Sequence, residues 1–319
     1  MLTHQRKCSR YRNVNWKLFR ELSDAKATIL DLCWLVLAIS YAFGKYQTFD
    51  IISGLLGLVA IVFFHLIINF HNNYNEFKTY RTGSYHDKIN KMNINRESLA
   101  KVRRLVYAIG IIPILITAYL TYRTGWFILL VAIIGLILGF LYTSGPRPLN
   151  STIMGEAVIA IAISVVIPVA FVYLGLATAG KIDSSTIIDT IVICLPITFA
   201  IFGTIIANNV MDLEDDLKND RHTLVDRIGK HNSMNLFKAS WALTYALIPI
   251  LALMKVIPYV SLIMIIFYPG IWDIYRPFLS TSEPKNFPNV LKATLRLTIS
   301  YIGLMAVGAI IDEIIILIK

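Results

Sequence analysis

Two clusters of oxygen-bearing side chains follow long apolar runs, and their spacing suits one kind of chemistry. The asparagine cluster, NFHNNYNE, spans residues 69–76, and the aspartate cluster, ANNVMDLEDDLKND, spans residues 207–220. Side chains four residues apart share one face of an α-helix, where like charges repel unless water or a cation compensates them. Both clusters have this spacing: Asn72 and Glu76 in the first, and Asp212, Asp216 and Asp220 in the second.

Hard oxygen ligands of this kind suit Mg²⁺, which typically binds one or two carboxylates together with substrate phosphates. Taken alone, the aspartate cluster could be a solvated acidic loop, and the asparagine cluster a helix end that meets the lipid headgroups. Their matching spacing and position favour a shared metal–phosphate site. Neighbouring basic side chains would supply positive charge to the phosphate oxygens: Lys78, Arg81, Lys218, Arg221 and His222.

The composition indicates that lipid surrounds these clusters. Of 319 residues, 56% are hydrophobic and only 16% are charged, whereas soluble domains have about 25% charged residues. A net charge of +10 fits cytoplasmic loops beside anionic lipid better than it fits nucleic-acid binding. The cysteines, Cys8, Cys33 and Cys194, have no metal-like spacing. We therefore predict an all-α integral membrane protein that binds no nucleic acid.

Nine apolar runs approach the length of about 20 residues that a membrane-spanning helix needs. We expect nine transmembrane helices around a central cavity, forming a single domain over residues 27–319. No sequence feature indicates an oligomeric state. The predicted spans are Ala27–Tyr46, Ile51–Phe70, Leu105–Tyr122, Trp126–Tyr142, Ile153–Leu176, Ser185–Asn208, Phe237–Met254, Val256–Tyr275 and Thr294–Ile318.

The positive charges set the expected orientation. With nine spans, 25 of the 30 Lys and Arg residues fall on one side of the membrane, which the positive-inside rule makes cytoplasmic. Residues 1–26 then form a cytoplasmic segment, and the C-terminus lies outside. Both polar clusters face the cytoplasm of what we expect to be the cell membrane.

Three stretches resemble the UbiA superfamily of intramembrane prenyltransferases, in the branch that acts on 1,4-dihydroxy-2-naphthoate. NNVMDLEDDLKNDRHTLVDRIGK resembles the second aspartate motif of that branch, and NNYNEFK is similar to its first motif. LYTSGPRPLNSTIMGE is similar to the segment after the fourth helix, with its Y-x-x-G-P and G-E elements. The chain departs from the family where Asn73 and Glu76 replace expected aspartates, Met211 replaces an arginine, and Asp220 replaces a glycine.

The resemblance implies Mg²⁺-dependent transfer of a polyprenyl group from its diphosphate to 1,4-dihydroxy-2-naphthoate. Diphosphate and CO₂ leave, and the product is the demethylmenaquinone of menaquinone biosynthesis. The implied catalytic and metal-binding residues are Asn72, Asn73, Glu76, Asp212 and Asp216. The implied substrate-binding residues are Asn69, Tyr74, Lys78, Tyr142, Arg147, Asn208, Asn209, Lys218, Asp220 and Arg221, with His65 a further possible contact to the aromatic acceptor.

Two alternatives stay open on the sequence alone. A protein of the same superfamily could prenylate another ring or act as a cyclase. A transporter or lipid-binding membrane protein could use the acidic clusters to coordinate a cation without catalysis. The isoprenoid chain length is not encoded in any motif.

Overall fold

The computed structural model describes residues 15–25, 28–79 and 96–318. The described chain forms α-helices joined by short 3₁₀ turns, with one π-helical turn and no strand. The helices are α1 (Trp16–Ser23), α2 (Ile29–Tyr46), α3 (Ile51–Thr79), α4 (Arg96–Ile109), α5 (Ile111–Thr124), α6 (Trp126–Leu141), α7 (Gly155–Ile161), α8 (Ile167–Leu176), α9 (Ser184–Lys218), α10 (Leu224–Leu253), α11 (Ile263–Thr281) and α12 (Phe287–Ile318).

Eight helical segments within the described ranges are long and apolar enough to cross a membrane. They are Ile29–Tyr46, Ile51–Thr79, Arg96–Thr124, Gly155–Ala179, Ser184–Lys218, Leu224–Leu253, Tyr259–Thr281 and Pro284–Ile318. The remaining predicted span, Trp126–Tyr142, corresponds to α6, which is apolar but has only 16 residues. At 1.5 Å per residue it covers about 24 Å, less than the roughly 30 Å of a typical hydrocarbon core. The all-helical membrane class is confirmed, and nine spans remain a prediction.

At both polar clusters the helices continue beyond the predicted apolar runs. α3 continues past Phe70 to Thr79, and α9 continues past Asn208 to Lys218. Most of each cluster is therefore helical, and the residue pairs four apart do share a face. The expectation that Asp220 extends the aspartate face is wrong: α9 ends before it, and Asp220 has a left-handed φ of 58°. This conformation suits glycine, the residue that the family often has there.

α9 forms the centre of the bundle and packs most extensively against α10. Its N-cap is Asp183, whose carboxylate accepts the Thr186 backbone N–H at 2.8 Å. This hydrogen bond, together with those from the Thr186 and Ser185 hydroxyls, lowers the pKa of Asp183 to about 2. The close packing depends on Gly203. A Cβ atom there would lie 2.4 Å from Ser240 Oγ and 3.2 Å from Trp241 Cδ1. Small residues at helix contacts allow this kind of approach in membranes.

We expect Gly203→Ala to lower the free energy of unfolding by about 1–3 kcal/mol, because the added methyl group overpacks the contact between α9 and α10. Thermal unfolding in detergent measures this loss. Gly303→Ala is the control, since a Cβ atom there meets nothing within 4 Å. Equal midpoints for the two variants would contradict this account of the packing.

Candidate active site

The aspartate cluster ends in a buried ion pair. Asp216 and Arg221 are 3% and 8% exposed, and Arg221 Nη1 donates to Asp216 Oδ1 at 3.0 Å. The pair forms because α9 ends and the chain turns back, so that the Arg221 backbone N–H also donates to the Asp216 carbonyl at 2.9 Å. Asp216 Oδ2 is buried and has no hydrogen-bond partner among the described residues. One carboxylate oxygen is thus neutralised and the other is available to a ligand.

Arg221 also joins the end of α9 to the connecting loop, which we define as residues 142–154. Its Nε donates to the Asn150 carbonyl oxygen at 3.0 Å, and its Nη2 approaches Asn209 Oδ1 at 3.5 Å. The structure thus places this guanidinium among protein acceptors. Its direct contact with phosphate, which the sequence analysis predicted, stays a prediction.

The side chains of the asparagine cluster point in two directions. Asn72 Oδ1 accepts the Thr143 hydroxyl at 2.7 Å, so Asn72 faces the connecting loop. Asn73 Nδ2 instead donates to the Leu22 carbonyl oxygen of α1 at 2.8 Å. Tyr74 points the same way, and its hydroxyl accepts from Arg103 Nη1 at 3.1 Å.

Glu76 brings the two clusters together. Its carboxylate interacts electrostatically with Arg221 and Asp212 and accepts a hydrogen bond from the Asn150 side chain. Asp216 in turn interacts with both Glu76 and Asp212. Three carboxylates, contributed by α3 and α9, therefore share one electrostatic environment on the same side of the bundle. The connecting loop bridges them, since Asn150 contacts both Glu76 and Arg221.

Two buried residues that the sequence analysis did not single out support this arrangement. Glu156, 2% exposed at the start of α7, accepts Asn209 Nδ2 at 2.8 Å and the Leu224 backbone N–H at 3.0 Å through the same oxygen. Asn150 is 4% exposed. The G-E element of the motif that includes the connecting loop pointed to Glu156 in the sequence, but it indicated no role for that residue. Nothing in the sequence distinguished Asn150.

The other predicted residues occupy varied positions. Asn208 Nδ2 donates to Asp212 Oδ2 at 3.1 Å and so orients that carboxylate. Lys218 is exposed and pairs with Asp215 at 3.1 Å. Lys78 and Arg147 are exposed at the helix end and in the connecting loop. Arg81 lies outside the described residues.

His222 holds the turn after α9. Its Nδ1 lies 2.9 Å from Asp226 Oδ2, and its Nε2 lies 3.2 Å from Asp220 Oδ1. These hydrogen bonds raise the pKa of His222. Because the folded-state pKa is raised, the stability gained from protonated His222 is present at acidic pH and is lost as pH rises through that value. Asp220 therefore forms its hydrogen bond within the turn and does not lie on the helical face that Asp212 and Asp216 share.

A cavity of about 170 Å³ lies beside the acidic site, and Tyr142, one of its wall residues, interacts with Glu76 and Asp216. Its polar lining is concentrated on one part of the wall, where His65, Asn69, Asn72 and Tyr142 contribute. Apolar residues of α3, α5, α6 and the α7–α8 segment line the rest, including the π-helical turn Ala162–Val166. Such turns occur often at functional sites. The cavity has the shape and chemistry expected for an apolar chain with a polar head.

The donor set fits Mg²⁺ bound together with a phosphate ligand. Within the described ranges, no three His, Cys, Asp or Glu side chains form a group that could hold a metal ion. The available ligands are the orphaned Asp216 Oδ2 and the nearby carboxylates of Asp212 and Glu76. Because Mg²⁺ usually keeps several waters and completes its shell with substrate phosphates, a full protein cage is not required.

An all-helical membrane bundle with carboxylates at one end of an apolar cavity fits the class of intramembrane proteins that bind amphiphilic substrates. Residues 32–288 match the UbiA prenyltransferase family. The chain belongs to this family, as the three motifs indicated, and the prediction of a prenyltransferase is confirmed.

Individual relatives agree with the family assignment. The chain is 24% identical over 304 residues to the 1,4-dihydroxy-2-naphthoate octaprenyltransferase of Bacillus subtilis (strain 168), covering 94% of this chain and 93% of that protein. A UbiA homolog from Aeropyrum pernix K1 shares the fold with a TM-score of 0.67 at 13% identity, over 90% of this chain and 98% of that one. A UbiA homolog from Archaeoglobus fulgidus bound to GPP and Mg²⁺ has a TM-score of 0.58 at 15% identity, over 91% and 99%.

We expect Glu156→Ala to lower the free energy of unfolding by about 1–3 kcal/mol, because it leaves the Asn209 amide and the Leu224 N–H without their acceptor. The measurement is thermal unfolding in detergent. Glu214→Ala, an exposed change on α9, should leave the midpoint unchanged. A Glu156→Ala midpoint equal to that of Glu214→Ala would show that Glu156 does not support the site.

Proposed function

We propose that this protein transfers a polyprenyl group from polyprenyl diphosphate to 1,4-dihydroxy-2-naphthoate, with Mg²⁺ as cofactor and with loss of CO₂ and diphosphate. The observation that carries the proposal is the meeting of Glu76, Asp212 and Asp216 at the polar end of the apolar cavity. The naphthoate activity named for the Bacillus subtilis relative supports this choice of acceptor, and the GPP and Mg²⁺ bound by the Archaeoglobus fulgidus homolog support the donor and the metal.

The acidic site would bind the diphosphate through the metal. Asp212, Asp216 and Glu76 would hold Mg²⁺, with Asn72 as a neutral oxygen donor nearby. Asn73, whose amide donates to the Leu22 carbonyl oxygen of α1, would have to turn toward the metal to join them. The chemistry that bound Mg²⁺ supplies is neutralisation of the charge that develops on the departing diphosphate. Arg221 keeps Asp216 in place, and Asn208 orients Asp212. Lys78, Lys218, Asp220 and Arg147 lie at the exposed rim, where the cations would attract the anionic substrates and contact the outer diphosphate oxygens.

The cavity would protect the reacting carbon. Departure of diphosphate from an allylic carbon leaves a cation that water would quench, so the carbon must lie in a dry environment. The apolar walls provide that environment and would accommodate the isoprenoid chain. Asn69 and Tyr142, on the polar part of the wall, would contact the head of the chain or the acceptor, with Asn209 and Tyr74 holding the surrounding helices in position.

The acceptor ring supplies the nucleophile. In 1,4-dihydroxy-2-naphthoate the two hydroxyl groups make the ring electron-rich, and the carbon that bears the carboxylate would attack the allylic cation. Loss of CO₂ from that carbon then restores the aromatic ring. The product is the hydroquinone form of demethylmenaquinone, a precursor of menaquinone.

We further propose the membrane arrangement that places this chemistry in the cell. Residues 27–319 form one catalytic domain with nine spans, α6 being the shortest, in the cell membrane. Residues 1–26 and the active site face the cytoplasm, and the C-terminus lies outside. This arrangement gives the site access to the water-soluble naphthoate.

We expect Asp212→Asn to reduce turnover of polyprenyl diphosphate and 1,4-dihydroxy-2-naphthoate by about 10²-fold or more, because a neutral amide weakens the metal–diphosphate contact. Turnover by Asp216→Asn should fall at least as far. The thermal midpoint of this variant shows whether breaking the pair with Arg221 also destabilises the fold. The assay follows diphosphate release and prenylated product in the presence of Mg²⁺.

Asp215→Asn is the matched control on the same helical turn, where Asp215 pairs with exposed Lys218. Its activity should equal that of the unmodified protein. Full activity of Asp212→Asn and Asp216→Asn would contradict the proposed site. Product from 4-hydroxybenzoate but not from the naphthoate would contradict the proposed acceptor.

For the orientation, we expect a cysteine replacing Lys230 to react with a membrane-impermeant maleimide only after cells are permeabilised. A cysteine replacing Lys255, at the opposite end of α10, should react in intact cells. Both are introduced singly into a chain whose native cysteines are changed to serine. The reverse labelling pattern would contradict the cytoplasmic position of the site.

A further inference from the structure

A carboxylate and a histidine form a pair inside the bundle, one helical turn before the asparagine cluster begins. Asp31, in the first turn of α2, is fully buried. Both of its carboxylate oxygens lie 3.1 Å from Nδ1 of His65 on α3. Neither residue belongs to the acidic site, and the mechanism above does not use Asp31.

The position of this pair calls for an explanation. Ionisable side chains within membrane-spanning segments are costly to bury and commonly mark functional sites. Joining α2 to α3 would be one role, but a buried ion pair usually stabilises a fold no better than packed apolar residues of the same volume. A purely structural role therefore gives little reason for its presence.

The geometry favours one tautomer of the imidazole, with a proton on Nδ1. A carboxylate that accepts from Nδ1–H holds the proton on that nitrogen and leaves the lone pair of Nε2 available as a base. Nε2 has no hydrogen-bond partner in the part of the chain that the structure describes. The side chain of His65 is 14% exposed, and the residue lines the apolar cavity described above.

His65 also lies where an acceptor ring would need a base. Asn69 and Asn72 follow it by one and two turns on the same face of α3, and all three residues line the cavity. Seven residues of helix span about 10 Å, so a two-ring aromatic acid could reach from the region of Asn72 to the imidazole.

We propose that His65, oriented by Asp31, is the base that accepts the proton of the acceptor's ring hydroxyl during prenyl transfer. The proposal rests on the proposed function and deepens it, since it concerns a hydroxylated aromatic acid bound in this cavity. His65 would be a catalytic residue that touches the acceptor, and Asp31 would be a positioning residue that acts through it.

The proton and the electrons balance without a further reactant. As the carboxylate-bearing carbon bonds to the allylic cation, the adjacent hydroxyl becomes a carbonyl, and its proton moves to Nε2 of His65. The bond to the carboxylate then breaks, CO₂ departs, and the released electron pair restores the ring double bond while the carbonyl becomes an oxyanion. Nε2 returns its proton to that oxygen, and His65 is neutral again.

The test uses the full chain in detergent with Mg²⁺, a polyprenyl diphosphate and 1,4-dihydroxy-2-naphthoate. We expect His65→Ala to lower kcat by about 10²-fold or more, the usual contribution of a general base, while the affinity for a polyprenyl thiodiphosphate with Mg²⁺ stays within threefold. Added imidazole should enter the vacated space and restore part of kcat. A structural role would not produce this rescue.

Asp31→Asn keeps an acceptor for Nδ1–H but removes the charge, and we expect it to fold normally with kcat reduced about tenfold or more. His231→Ala, an exposed change on α10, is the matched control and should retain full activity. Asp50→Asn disrupts another ion pair, with exposed Arg123, so its kcat should stay within threefold of the unmodified value whatever its thermal midpoint.

Wild-type turnover is measured first, because it separates the two proposals. An unmodified protein that prenylates no hydroxylated aromatic acid overturns the proposed function and the role of His65 together. An active unmodified protein whose His65→Ala variant keeps kcat within threefold, or loses activity that imidazole does not restore, overturns the role of His65 alone.

Discussion

The structure depends on how charge is compensated where the apolar bundle ends. Arg221 neutralises one oxygen of buried Asp216 and leaves the other unpartnered. A buried carboxylate with no partner would be costly, and one fully paired would have no capacity for a ligand. The chain reversal after α9 produces an arrangement between these two extremes, with one oxygen of Asp216 paired and the other unpaired. It brings a guanidinium back onto the last helical turn, where it also binds the connecting loop through Asn150.

This compensation connects the acidic site to the cavity. The connecting loop that Arg221 holds also supplies Thr143, the hydrogen-bond donor to Asn72, and Tyr142, part of the cavity wall. Glu156 fixes the start of α10 and the Asn209 side chain with a single oxygen atom. Loop, helix ends and wall therefore form one connected unit, and an amphiphilic substrate can place its charged head among the carboxylates while its apolar chain occupies the cavity.

Much of this arrangement could be predicted from the sequence, because membrane helices leave a strong signal in composition and spacing. The apolar runs, the two clusters on helical faces and the family resemblance all follow from local patterns. The parts that could not be predicted depend on contacts distant in sequence. Asn150 has no distinctive neighbours, and Asp31 reads as the first polar residue of a span; their roles appear only when α2, α3 and the connecting loop are packed. Asp220 is a further residue whose position could not be predicted from the sequence. It follows Asp216 by four residues, as it would on a continuing helix, but α9 has already ended there.

The central claim is that Glu76 of α3 and Asp212 and Asp216 of α9 bind one metal-bridged diphosphate above the apolar cavity. Its most direct test is an experimental structure with a polyprenyl thiodiphosphate and Mg²⁺. The account predicts density for the diphosphate between these three carboxylates, with Mg²⁺ on Asp216 Oδ2 and the isoprenoid chain beneath it between α3 and α6. Diphosphate bound elsewhere, or bound with these carboxylates turned away from it, would contradict the account.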